Sequence, residues 1–136
     1  MANVHEEITI HAPADDVWEL AGDPGRISEW LPLIIESSAE GDRRYCTTQT
    51  GDRLVERITD RSDEARRYSY EIVESPMPLR SYTSQLAVEG HDDHTHVTWV
   101  AEFEAEAAEA EEEIRSTFAE VYRQGLESLR DTVEPR

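Results

Sequence analysis

The spacing of apolar residues changes once along this chain, and that change restricts the folds open to it. Over residues 33–103 apolar side chains tend to recur at every second position. Further on, Ile114, Phe118, Val121, Tyr122, Leu126, Leu129 and Val133 recur at steps of three and four. Period two describes strands with one buried face, and steps of three and four describe one face of a helix. Turn-forming clusters cut the first region at Glu40-Gly41-Asp42, Thr50-Gly51-Asp52, Arg61-Ser62-Asp63-Glu64, Ser75-Pro76-Met77-Pro78 and Glu89-Gly90-His91-Asp92-Asp93. They delimit strands near 33–39, 43–49, 53–60, 66–74, 81–89 and 95–103, an antiparallel meander joined by tight turns. Val4 to His11 alternates in the same way and makes a seventh strand, first in the chain.

Two short helices are expected between that first strand and the meander. Pro13 suits an opening helical turn, Asp15 and Asp16 favour its positive end, and Gly22 stops it. Asp23 caps a second helix with Pro24 at its first position, and Pro32 ends it. The Glu/Ala-rich stretch from Glu102 to Glu113 reads as a solvated, acidic entry to the last helix. Gly125, on or beside the apolar side of that helix, lets it approach a neighbour closely. The order is therefore one strand, two short helices, six strands and one long amphipathic helix. The economical packing is an α+β domain over residues 1–136, in which a curved sheet wraps the helix so that both bury their apolar faces. Seven strands curled around one helix enclose more volume than the helix fills, and the surplus is a cavity.

Alternation assigns side chains to that interior. Leu54, Glu56 and Ile58 share a face, as do Tyr68, Tyr70 and Ile72, then Tyr82, Ser84, Leu86 and Val88, then Val97, Trp99, Ala101 and Phe103. The expected lining is Trp30, Glu56, Tyr68, Tyr70, Tyr82, Trp99, Phe118 and Tyr122: an apolar pocket with a few placed polar groups. One such aromatic is ordinary core packing; the cluster reads as a lining. Glu56 stands out, because a buried carboxylate needs a Tyr hydroxyl, an Arg or water as partner. It is the candidate for a catalytic proton shuttle.

Composition removes other function classes. The 136 residues carry 31 acids against 13 bases, a formal charge of −18, and every base is Arg. Such a surface repels phosphate, so no nucleic-acid partner and no anionic membrane surface are expected. The acid excess fits solubility; with the lack of Lys it fits salt adaptation or a GC-rich genome. The single Cys, Cys46, excludes an internal disulfide and reads as structural. Residues 1–7 lack a signal peptide's basic and apolar regions, and no run approaches the ~20 apolar residues of a membrane helix, so a cytoplasmic protein is expected. His94 and His96, with Asp92 nearby, have metal-like spacing but lie at a hairpin turn without a third ligand, so no metal is assigned. Nucleophile-elbow, phosphate-loop and dinucleotide motifs do not occur, and no cofactor is assigned.

Several stretches then carry a resemblance: Ile10–Leu20, Gly22–Trp30, Glu40–Arg44, Leu54–Ile58, Tyr68–Ile72, Pro76–Leu79, Val97–Trp99 and Tyr122–Leu129. Together they span nearly the whole chain, which resembles the START/Bet v 1-like superfamily (SRPBCC), specifically bacterial polyketide cyclase/dehydrase-like proteins. The resemblance implies a helix-grip fold around a hydrophobic cavity. Its members bind lipids, hormones or polyketides, and some catalyse cyclisation or aromatisation. No residue matches a catalytic signature that transfers. The leading expectation is binding of a hydrophobic or aromatic small molecule, lipid- or polyketide-like, in the cavity. The alternatives are a cyclase or dehydratase using Glu56 or a Tyr for proton transfer, and a protein-interaction module using a groove beside Trp30, Leu31 and Pro32. The sequence gives no sign of oligomeric state.

Overall fold

The computed structural model describes residues 1–135. Seven antiparallel strands form one curved sheet: β1 (Ala2–Ile10), β2 (Ile34–Glu40), β3 (Arg43–Thr48), β4 (Arg53–Ser62), β5 (Arg67–Glu74), β6 (Leu79–Gly90) and β7 (Thr95–Ala105). Their order across the sheet is β1-β7-β6-β5-β4-β3-β2, so β2 to β7 form a plain meander and β1 closes against β7. Helix α1 (Ala14–Ala21) and a 3-10 segment (Pro24–Glu29) follow β1, and α2 (Glu111–Val133) ends the fold.

Register places the inward residues in rows. Tyr82 pairs with Phe103, Ser84 with Ala101, and Leu86 with Trp99, and all six are buried. Pairing slips at Val55/Glu56, Ile58/Asp60 and Leu79/Ser81. Such bulges bend a strand and increase its twist, which curls the sheet toward α2. The helix buries Ile114, Tyr122, Gly125, Leu126 and Leu129, spaced as its periodicity predicts.

Gly125 shows how closely the helix is gripped. A Cβ there would lie 2.5 Å from Leu31 Cδ1 and 3.2 Å from Trp99 Cζ3. The chain accepts the roughly 1 kcal/mol helix cost of Gly because no larger residue leaves room for Leu31 and Trp99. At the other end of the sheet, the Trp18 indole folds over Gly22, where a Cβ would meet it at 2.3 Å. Trp18 Nε1 donates to Asp63 Oδ1 at 2.9 Å, and Arg61 Nε donates to the Gly22 carbonyl at 2.9 Å. These bonds tie α1 to the β4–β5 hairpin.

The two short helices lie where Pro and Asp place them, the second as a 3-10 helix. Asp23 caps it by accepting from the Gly25 N–H. The Glu/Ala stretch needs correction. Its first residues continue β7 through Ala105, with Ala101, Phe103 and Ala105 buried, and α2 begins only at Glu111. Alternating Glu and Ala has a period of two, so the strand takes it while the sheet has a partner to offer. The expected exposed groove also fails: Trp30 and Leu31 are 2% and 6% exposed. Both pack inward toward Gly125, leaving only Pro32 of the three at the surface. No helix among the described residues is long and apolar enough to cross a membrane.

Candidate functional site: a cavity beneath the C-terminal helix

Between the inner face of the sheet and the first half of α2 lies a cavity of about 230 Å³. Thr117, Phe118, Val121 and Tyr122 line it from one face of α2. Leu31 and Leu33, after the 3-10 segment, close one side, and Cys46, Leu54, Glu56, Tyr70, Ile72, Tyr82 and Trp99 form the sheet side. Thr50, Asp52, Pro76 and Thr117 are exposed as well as lining, so the rim lies where the β3–β4 turn, the β5–β6 turn and α2 meet. A hollow on the outer face of the sheet, around Asn3, Ser69 and Gln85, is open and polar by comparison.

Two polar systems occupy this interior. The first centres on Arg44, which is fully buried. Arg44 and Glu56 are cross-strand partners, and Arg44 Nε donates to Glu56 Oε1 at 2.8 Å. Arg44 Nη1 donates to Tyr68 Oη at 3.0 Å and to the Pro24 carbonyl at 3.3 Å, and the guanidinium lies 4.7 Å from the centre of the Tyr70 ring. Burial, the largest single effect, opposes the Arg44 charge, but the Glu56 carboxylate, with smaller contributions from Tyr68, Tyr70 and Cys46, outweighs it and holds the guanidinium pKa well above its ordinary value. Arg44 Nη2 and Trp30 Nε1 are buried without hydrogen-bond partners among the described residues.

The second system centres on Ser84. Its hydroxyl donates to the Val100 carbonyl at 2.9 Å. Trp99 Nε1 donates to Ser84 Oγ at 3.1 Å and to Tyr70 Oη at 3.2 Å. Tyr122 Oη lies 2.9 Å from Ser84 Oγ and is hydrogen-bonded to Tyr82 Oη. The Trp99 and Tyr122 rings stack at 3.9 Å. Burial pushes the Tyr68, Tyr70 and Tyr82 hydroxyls above their ordinary range, and it pushes the Cys46 thiol up to about 12. Cys46 is therefore no thiolate nucleophile at neutral pH.

Of the residues expected to line the cavity, Glu56, Tyr70, Tyr82, Trp99, Phe118 and Tyr122 do so. Trp30 and Tyr68 are buried outside its wall. Trp30 packs on Trp99 at 5.4 Å between ring centres, and the Tyr68 hydroxyl is taken by Arg44. Arg44 escaped the sequence reading although its signal was present: it alternates with Cys46 and Thr48, so all three face inward on β3. The partner Glu56 requires is thus the strand-mate directly across. The two histidines at metal-like spacing part company, His94 toward Asp93 at 2.7 Å and His96 toward Glu7 at 3.5 Å. Among the described residues no three His, Cys, Asp or Glu side chains converge to hold a metal.

The sequence matches the family model described as polyketide cyclase / dehydrase and lipid transport over residues 1–134. Among solved structures, the protein XoxI from Bacillus cereus is 28% identical with a TM-score of 0.91, over 98% of this chain and 96% of that one. A protein from Thermobifida fusca is 30% identical with a TM-score of 0.86, over 98% of this chain and 93% of that one. The Zhui aromatase/cyclase from a Streptomyces species is 18% identical with a TM-score of 0.84, over 97% and 93%, which speaks to the fold alone. The helix-grip fold is also that of a START superfamily protein from Mycobacterium smegmatis, 10% identical with a TM-score of 0.81 over 96% of each chain, a likeness of fold alone. No curated protein matches the chain.

Proposed function

Because this chain belongs to the polyketide cyclase/dehydrase and lipid-transport family, we propose that it acts as a single ligand-binding domain that takes up a hydrophobic or aromatic small molecule beneath α2. The observation that carries this reading is the cavity: about 230 Å³, walled mainly by apolar and aromatic side chains, with one carboxylate and a few hydroxyls at its sheet side. Ligand sites are built in this way, apolar surface supplying affinity and sparse polar groups supplying orientation. A dry cavity of about 150 Å³ already admits benzene, so this one suits one or two fused rings, or the end of a longer molecule.

Isothermal titration with naphthalene tests the reading. Ten carbon atoms in an apolar site are expected to give a Kd on the order of tens of micromolar. Val121, half-buried on the α2 wall, is the place to fill the space. Val121→Trp is expected to weaken naphthalene binding at least about tenfold while the thermal melt stays cooperative. Binding that is absent in the parent protein, or unchanged in the filled variant, contradicts the proposal.

A second reading, a cyclase or dehydratase, is favoured by one feature: Glu56 and the Tyr70 hydroxyl share the cavity wall, a carboxylate and a phenol suited to proton transfer. Glu56→Gln separates the two provided the variant still melts cooperatively, because turnover needs the carboxylate and uptake of an apolar guest does not.

A further inference from the structure

The hydrogen-bond chain behind the cavity fixes where its protons point. A backbone carbonyl only accepts, so the Ser84 proton goes to Val100. The hydroxyl of Tyr122 must then be the donor to Ser84, and the hydroxyl of Tyr82 the donor to Tyr122. Each hydroxyl has one proton to assign, and burial favours the protonated form of Tyr70 and Tyr82. Tyr70 differs. Its oxygen accepts from Trp99, and its own O–H, which has the Ser84 and Tyr82 hydroxyls as polar neighbours, meets neither at hydrogen-bonding geometry among the described residues. The cavity therefore presents the Tyr70 O–H as its placed donor and the Tyr82 oxygen as an acceptor. Glu56 adds a second acceptor, because Arg44 engages Oε1 and leaves Oε2.

Charge adds a second constraint. The wall includes the carboxylates of Glu56 and, at the rim, Asp52, and the whole chain carries −18. Arg44 is not in the wall, and its guanidinium is held by Glu56, Tyr68 and the Pro24 carbonyl. Arg44 Nη2 has no partner among the described residues but is buried behind that wall, so a ligand anion lodged in the cavity makes no direct bond to the guanidinium. The geometry points to a cavity that selects neutral aromatic guests of one or two rings bearing a hydroxyl, and that turns away guests ending in a carboxylate. This inference rests on the binding reading above and narrows it: the hydroxyl donates to Glu56 or Tyr82 and receives the Tyr70 proton.

The test is a calorimetric series near neutral pH with naphthalene, β-naphthol, β-naphthoate and β-acetylnaphthalene. The last matches the naphthoate in shape without its charge. The naphthol is expected to bind about fivefold more tightly than naphthalene, a net gain that after desolvation depends on the hydrogen bond its oxygen receives from Tyr70. The acetyl compound is expected to bind, its carbonyl accepting from Tyr70. The naphthoate is expected to bind at least roughly thirtyfold more weakly than the naphthol, because it brings a further carboxylate into a mainly apolar site that already holds Glu56 and, at its rim, Asp52. Tyr70→Phe removes the free donor, and Trp99 Nε1 keeps Ser84 as acceptor. It is expected to narrow the naphthol-to-naphthalene ratio toward one. Naphthoate binding as tight as the naphthol, or a ratio unmoved by Tyr70→Phe in a variant that melts cooperatively, overturns this inference while leaving the binding reading in place. Binding of none of the four overturns both.

Discussion

Glu56→Leu is expected to destabilise the protein by about 3–5 kcal/mol, a large part of the 5–15 kcal/mol typical of a domain. The Arg44 side chain is 0% exposed and that of Glu56 9%, so removing the carboxylate leaves a buried guanidinium without its counter-charge. Dispersion gained by the Leu does not offset that. The double variant Arg44→Met, Glu56→Leu is expected to recover most of the loss, because well-packed apolar residues often replace a buried ion pair at little cost. Urea midpoints of the three proteins measure this. A single variant within about 1 kcal/mol of the parent would show that the pair is not desolvated as described. By contrast, Glu29→Ala, which removes the partner of Arg26 in a solvent-exposed pair, should leave the midpoint nearly unchanged.

Stability is expected to fall as pH rises from about 9 toward 12, and the composition makes the cause traceable. With no Lys in the chain, the side chains that ordinarily titrate in this range are one Cys and five Tyr. Cys46 ordinarily titrates near 9.0, and burial raises it to about 12 in the fold. Between those values the unfolded chain has lost the proton and the folded chain retains it. The unfolded state then binds fewer protons, and the free energy of unfolding declines with pH. Cys46 accounts for about 3–4 kcal/mol across its window. Tyr68, Tyr70 and Tyr82 add the same sign above their ordinary range, for the same reason of burial. Urea midpoints at pH 7.5 and 10.5 measure the decline, and Cys46→Ala is expected to flatten its lower part. Equal midpoints, or ready alkylation of Cys46 in the native protein at pH 8.5, would contradict the placement of the thiol.

Much of this architecture was legible because two-fold and near-four-fold periodicities describe how strands and helices bury a face. Tyr68, Tyr70, Tyr82, Ser84 and Trp99 point inward as alternation requires, and Gly125 marks the close approach of the helix. What escaped depends on pairing across strands, which one strand's sequence does not state. Arg44 follows Arg43 in the sequence, and only the pairing of β3 with β4 sets its inward face opposite Glu56. The wall of the cavity was likewise misjudged at Trp30 and Tyr68. Both are interior aromatics, but local packing on Trp99 and a bond to Arg44 decide that they stand behind the wall. The strand end at Ala105 follows the same rule, since alternating Glu and Ala obeys whichever neighbour is present.

The central claim is that a ring-sized apolar guest lodges beneath α2, and methyl NMR during a naphthalene titration tests it most directly. The account predicts saturable shifts at Leu31, Leu54, Ile72, Met77 and Val121, which line the cavity, with Ile10, Val17 and Val88 little changed in the remainder of the core. Shifts that never saturate, or that gather at Ile10, Val17 and Val88 while the lining methyls stay still, would contradict it.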